Sequence, residues 1–212
     1  NRTTPKAQAA LPAAMQEQHV TVVGITHHLS EPCFVTTTRK YIGMEGTYAL
    51  PEAQRDRFMF NIFIDYLPED DEVAVVSQTT ATQPEPIEPI FSGEDLLQFQ
   101  EVVRRVPIAQ DVVRYAVRMA AASRPAADNP RDYVNDWVTW GAGLRASQYM
   151  VLGAKARALL DGRSHVKYED IRALAHPVLR HRILINYRAE AEGMVVEDLV
   201  DRLMKSISED AG

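Results

Sequence analysis

The chain has 212 residues, room for one large domain or two small ones, and its 46% hydrophobic and 25% charged content is that of an ordinary globular protein. A net charge of −6 supplies no basic field for nucleic acid or an anionic membrane, and no apolar run approaches the ~18–20 residues of a membrane-spanning helix. Cys33 is the only cysteine, which excludes an internal disulfide and a cysteine metal cluster and fits a reducing, cytoplasmic setting.

Pro5 to Glu17 reads as a helix from its alanines and first-turn proline, with Pro12 as a misfit. His19–Val23 and Cys33–Thr38 are β-branched and read as strands, and Gly24 between them suggests a hairpin followed by a buried strand. Glu52 to Arg57 predicts a short helix. Phe58 to Ile64 is a mostly apolar run of strand length, as expected of a strand covered on both faces. Pro68 followed by four acids predicts a helix start.

Thr79–Pro89 carries three prolines and no periodicity and reads as a linker. Beyond it the pattern is helical. Ser92 and Asp95 resemble a capping box. Ala109–Ala122 places Val112, Val113, Ala116, Val117 and Ala120 on one face, and Arg145–Leu160 is stopped by Asp161-Gly162. Short pieces over Tyr168–Ala175 and Val178–Ile183 flank Pro177, and Val195–Ile207 closes the series. The map is an α/β part over residues 1–80, a joint over 81–91 and an all-helical part over 92–212.

Three segments carry a family resemblance. They are Asn1-Arg2-Thr3-Thr4-Pro5-Lys6 with the residues to Glu17, then Glu45-Gly46-Thr47-Tyr48-Ala49-Leu50-Pro51-Glu52-Ala53-Gln54-Arg55-Asp56-Arg57-Phe58, then Gly141-Ala142-Gly143-Leu144-Arg145-Ala146 with Pro177–Arg182 downstream. In order and spacing they resemble MoxR-type AAA+ ATPases. The resemblance implies a partial P-loop NTPase core built on a parallel sheet, followed by a helical-bundle lid. It also implies ATP and Mg²⁺ as cofactors, a ring of identical subunits, a hexamer in the family, and a von Willebrand A-domain protein as partner. The implied work is chaperone-like remodelling or cofactor insertion, in the cytoplasm.

In that family the Asn-Arg pair at positions 1 and 2 follows the acids that hold Mg²⁺, and the phosphate-binding loop lies further upstream. No Gly-Lys dipeptide occurs, so this sequence contains no Gly-x-x-x-x-Gly-Lys-Ser/Thr loop. The chain alone is therefore expected to be inactive, and a non-enzymatic degenerate ring subunit or interaction scaffold is the alternative.

The resemblance assigns Arg57 as the arginine finger, a guanidinium that stabilises charge on a neighbour's γ-phosphoryl group; the bland reading is an arginine paired with Asp56 or Glu52. Arg145 matches the lid arginine, sensor 2, without the family's preceding proline. Lys40 falls at the sensor 1 position, where the family has asparagine; lysine can only donate. No metal ligands are assigned. His27-His28 reads as a surface pair, since a metal site needs three or four ligands. Trp137 and Trp140 read as lid packing. His165, His176 and His181 read as surface or structural, and Arg180-His181-Arg182 as a solvated basic face first and a phosphate or neighbour-subunit contact second.

Overall fold

The computed structural model describes Gln8 and residues 11–38, 50–81 and 88–207. Helix α1 (Leu11–Gln16) lies within the expected first helix and leads into a hairpin of β1 (His19–Val22) and β2 (Ile25–His28). These strands pair antiparallel from His19↔His28 to Val22↔Ile25. Val23 and Gly24 close the turn with φ of 51° and 80°. Two positive values make the tight mirror-image turn that matches strand twist; Gly24 takes it freely, and Val23 takes it at a steric cost. His27 and His28 are exposed on β2.

The expected strands over 33–38 and 58–64 have no ladder partner among the described residues, and both described sheets are antiparallel pairs. The apolar run is extended but uncovered: Ile62 and Phe63 are exposed, and Ile64 is 91% exposed. A strand of a doubly covered sheet reads as a continuous apolar run because neighbours flank it, and no neighbouring strand lies among the described residues. Helix α2 (Glu52–Arg55) follows Pro51, and α3 (Glu69–Thr80) follows Pro68 with its four first-turn acids, both where the sequence places them. All of α3 is exposed.

The rest is a packed helical body. Helix α4 (Gly93–Arg105) begins with the expected capping box: the Asp95 amide donates to Ser92 Oγ at 3.1 Å, and the Ser92 amide donates to Asp95 Oδ2 at 2.8 Å. Helix α5 (Gln110–Ala122) buries Val112, Tyr115, Ala116, Met119 and Ala120. Val117 is turned out, because Tyr115 and Met119 fill the stripe instead. Then come α6 (Asp132–Trp137), β3 (Val138–Trp140) and α7 (Leu144–Leu160). Helix α7 ends as expected: Gly162 donates to Leu159 O at 2.9 Å and Arg163 to Ala158 O at 2.8 Å, the paired reverse bonds of a glycine-terminated helix.

Next are α8 (Tyr168–Ala173), α9 (Ala175–Leu179), β4 (Leu184–Ile185), α10 (Tyr187–Ala191) and α11 (Val196–Ser206). Pro177 lies inside α9 rather than between two helices. It is the third residue of the helix, where the missing N–H is an orphan in any case. Strands β3 and β4 pair antiparallel. Trp137 packs on the core, whereas Trp140 is 68% exposed on the pair's outer face. The core joins α5, α7, α8, α9 and α11 through Tyr115, Met119, Met150, Ile171, Leu179, Leu199 and Leu203, all fully buried. Asp170 staples it from below. Burial opposes its charge, but Arg163 donates from both terminal nitrogens and the Lys167 amide donates at 2.9 Å, so its carboxyl stays below the usual range. No described helix is long and apolar enough to cross a membrane.

Candidate functional site

The segment just after α2 is where the chain's two parts meet. Asp56 donates its amide to Glu52 O at 2.9 Å, Arg57 to Gln54 O at 3.2 Å and Phe58 to Arg55 O at 3.1 Å. This tight turn ends the helix and puts Arg57 at its corner.

Side chains of the helical body then hold the turn's backbone. The Tyr149 hydroxyl donates to Arg57 O at 3.0 Å. Arg182 donates from Nη2 to Asp56 O at 2.7 Å and Phe58 O at 2.6 Å, and from Nη1 to Met59 O at 3.3 Å and Val178 O. Its Nε donates to Asp56 Oδ1 at 2.9 Å. All five N–H groups of a guanidinium are thereby used. The Arg182 side chain is 1% exposed. Burial lowers its proton affinity and the Asp56 carboxylate opposes that loss. Its guanidinium also lies 5.0 Å from the Tyr149 ring centroid.

His181 Nε2 lies 3.0 Å from Phe58 O and donates to it, since a carbonyl can only accept. Burial, and the neighbouring Arg182 charge after it, push the imidazole down to about 4, so it is neutral near pH 7. Further along, the Asn61 amide donates to Pro177 O at 2.8 Å, and Arg180 donates to Asn61 O at 3.2 Å with its guanidinium 4.1 Å from the Phe63 ring centroid. The basic knot over 180–182 is therefore no solvated face. Its side chains grip residues 56–63, because backbone carbonyls lacking sheet partners offer acceptors there. Gly153 on α7 completes the fit: a Cβ there would lie 2.7 Å from Leu174 Cδ1 and 3.2 Å from Phe60 Cζ.

The structure brings two of the three predicted site residues together. Arg145, in the first turn of α7, donates to Asp56 Oδ2 at 3.0 Å, so the residue beside Arg57 is shared between Arg145 and Arg182. The partners that the bland reading gave Arg57 are engaged elsewhere: Asp56 with these two arginines, and Glu52 with Arg55 at 3.9 Å. Arg57 itself is half-buried, and its side chain makes no hydrogen bond or ion pair among the described residues. Lys40 lies outside the described residues, as do the Asn1-Arg2 pair and 45–49 of the central motif.

Tyr149, His181 and Arg182 were missed as members of this site. One signal for Tyr149 was available: it stands four residues after Arg145, on the same helix face. Nothing in spacing shows that Arg182 would be buried.

An unpaired guanidinium at Arg57 and a second at Arg145, held to Asp56 through Nη1, suit an anionic oxygen ligand such as a phosphate chain near this turn. No group of three or more His, Cys, Asp or Glu side chains able to hold a metal ion occurs among the described residues, so Mg²⁺ is assigned to none of them.

The family model described as "ATPase family associated with various cellular activities (AAA)" matches residues 1–60, and that of the AAA lid domain matches residues 133–203. The chain is 35% identical over 208 residues to the chaperone MoxR1 of Mycobacterium tuberculosis, covering 98% of this chain and 55% of that protein. It is 36% identical over 208 residues to the protein YeaC of Bacillus subtilis, with 98% and 62% covered. A crystal structure of a candidate ATPase from Cytophaga hutchinsonii superposes with a TM-score of 0.92 at 33% identity, over 98% of this chain and 63% of that one. The chain thus spans between about half and two thirds of the length of these relatives. With a partial core, a helical lid and both family segments in their expected order, the chain belongs to the AAA+ ATPases of the MoxR type.

Proposed function

We propose that this chain is the finger-and-lid portion of an ATP-hydrolysing subunit that works, with ATP and Mg²⁺, in a cytoplasmic ring of identical subunits, a hexamer. Residues 1–80 belong to the core, 81–91 to a joint and 92–212 to the lid. Arg57 acts as the finger in a neighbouring subunit's site, Arg145 as sensor 2 in its own, and Lys40 occupies the sensor 1 position. The ring's work is chaperone-like remodelling or cofactor insertion on client proteins, with a von Willebrand A-domain protein as partner.

The observation that carries this reading is the contrast at residues 56–58. The backbone is held on both sides of Arg57, while the Arg57 guanidinium is left unpaired among the described residues. A long charged side chain costs entropy to order, and a structural arginine recovers that cost through partners. An arginine held at its backbone and unpaired at its tip suits a ligand brought by another molecule. Charge on the phosphoryl oxygens grows during transfer, and a guanidinium placed there favours the transition state over the bound substrate.

The test uses rings of full-length subunits. Arg57→Ala is expected to lower turnover by about 10³-fold or more with nucleotide affinity nearly unchanged. Arg145→Ala is expected to weaken nucleotide binding in its own subunit. Mixing Arg57→Ala subunits with unmutated ones restores turnover at interfaces where the unmutated neighbour supplies the finger. An unchanged rate in Arg57→Ala rings would return Arg57 to a surface role. A purified 212-residue chain is expected to show no turnover above background.

A further inference from the structure

We infer that Tyr149 and Arg182 of the lid are positioning residues for the Arg57 guanidinium. The inference rests on the reading of Arg57 as the finger. Four consecutive carbonyls, from Asp56 to Met59, accept hydrogen bonds from lid side chains: Asp56 O, Phe58 O and Met59 O from Arg182, and Arg57 O from Tyr149. Within these four residues the only side chain with polar atoms besides Asp56 is that of Arg57.

Had the lid served only to bury the turn, apolar packing of Phe58 and Met59 would do so. A buried guanidinium is an expensive way to cover a loop: its desolvation is recovered only when every donor is matched, as here. Three of the five donors reach the turn's backbone and a fourth the Asp56 carboxylate, which fixes the path of the chain and so the direction in which the Arg57 side chain leaves it. Tyr149 fixes the peptide of Arg57 itself.

The lid core anchors this network. Tyr149 stands on α7, one turn beyond Arg145, and packs against the core, and the buried Arg182 lies between the core residues Leu179 and Ile183 just after α9. A finger anchored to its own subunit's lid acts in the next subunit's site. The lid's placement in one subunit therefore governs hydrolysis in its neighbour, separately from any effect on its own nucleotide.

A double-mutant cycle in rings of full-length subunits tests this. Tyr149→Phe keeps the ring against Arg182 and removes one hydrogen bond. It is expected to lower kcat by about 3- to 10-fold, the weight of one neutral hydrogen bond, with KM for ATP unchanged. Arg182→Lys keeps a charge for Asp56 but loses the fork, and is expected to lower kcat by about 10²-fold, as a misplacement on the order of 1 Å does. In an Arg57→Ala background both changes are expected to have almost no further effect on kcat, because there is no finger left to place.

Equal losses in the two backgrounds would overturn the positioning role and leave the finger reading intact. A normal rate in Arg57→Ala alone would overturn both. Thermal midpoints separate folding from placement: Tyr149→Phe should leave the midpoint nearly unmoved, and a kcat loss that tracks a falling midpoint across both variants would also overturn the inference.

Discussion

The two regions of this molecule are held by different means. From Val106 to Ile207 the chain buries an apolar core of five helices. Before Val106, only Gln8 and Leu50 are buried among the described residues. Large apolar side chains stand exposed there instead: Phe34, Ile62, Phe63, Ile64, Leu67, Val73, Val75 and Val76. Chains rarely expose so contiguous an apolar run without a partner surface. The helical region carries the buried core, and its side chains hold the region before it at residues 56–63. The proposed chemistry of Arg57 therefore sits in the part without a buried core and is held by the part that has one.

The sharpest way to break this comparison is Asp170→Ala. Asp170 is 1% exposed and holds the start of α8 to Arg163 and to Arg157, the latter at 3.4 Å. Removing it strands partly buried positive charge and an unpaired Lys167 amide. The expected loss is about 3 kcal/mol, at the low edge for buried pairs because both arginines keep access to water. Chemical denaturation of the whole chain reads it. A matched substitution in the other region, Val76→Ala on exposed α3, is expected within about 0.5 kcal/mol of no change. Comparable losses at both sites would show that the two regions unfold as one unit.

Acid sharpens the junction between them. His181 is held down to about 4 by burial and then by Arg182, while an unfolded histidine titrates near its ordinary value of 6.5. Above that value both states are neutral and the group has no pH effect. As pH falls from 6.5 toward 4 the unfolded chain takes up a proton that the folded chain refuses, so stability falls. The drop reaches about 3 kcal/mol by pH 4 and then levels, from 1.36 kcal/mol per unit. His181→Gln can still donate to Phe58 O and has no proton to take up. The difference in unfolding free energy between the two proteins should therefore show this slope between pH 6.5 and 4 and be flat above it. A difference that does not vary with pH would place His181 in contact with water.

The helices were legible because they carry local signals: the acid run after Pro68 for α3, the capping box at Ser92 for α4, the stop at Asp161-Gly162 for α7. Their chemistry acts within four residues. The strand over 33–38 was read from β-branched residues and that over 58–64 from an apolar run, and such patterns specify a strand only through neighbours that hydrogen-bond it. The candidate site divides in the same way. Arg57 and Arg145 were legible through long motifs. Arg182 was taken for a surface charge because its burial depends on contacts over 120 positions away in the chain, as with Asp56 and Phe58. Composition near 180 gives no hint that five acceptors wait for it.

The smallest loss expected to register decides where the boundary between the regions falls. Ser92 caps α4, and its hydroxyl and amide both engage Asp95. Ser92→Ala removes the side-chain acceptor for the Asp95 amide, and losses of this kind are about 1 kcal/mol. What matters is where the loss appears. Helix α4 is tied to α7 by Lys155, whose Nζ donates to Arg104 O at 2.9 Å, and it keeps Phe99 and Val102 half in solvent. If α4 belongs to the cooperative helical unit, its cap contributes to global unfolding, and the denaturation midpoint of the whole chain should fall with an unchanged slope. Hydrogen exchange in α5 and α7 should then accelerate by about fivefold, the same free energy read through the core amides. If α4 instead frays with the region before it, the midpoint stays put and only amides in the first turn, from Gly93 to Leu96, exchange faster. The first result is expected, because Val106 at the C-terminal end of α4 is buried in the same cluster as Tyr115 and Met119, so the helix cannot leave without exposing that cluster.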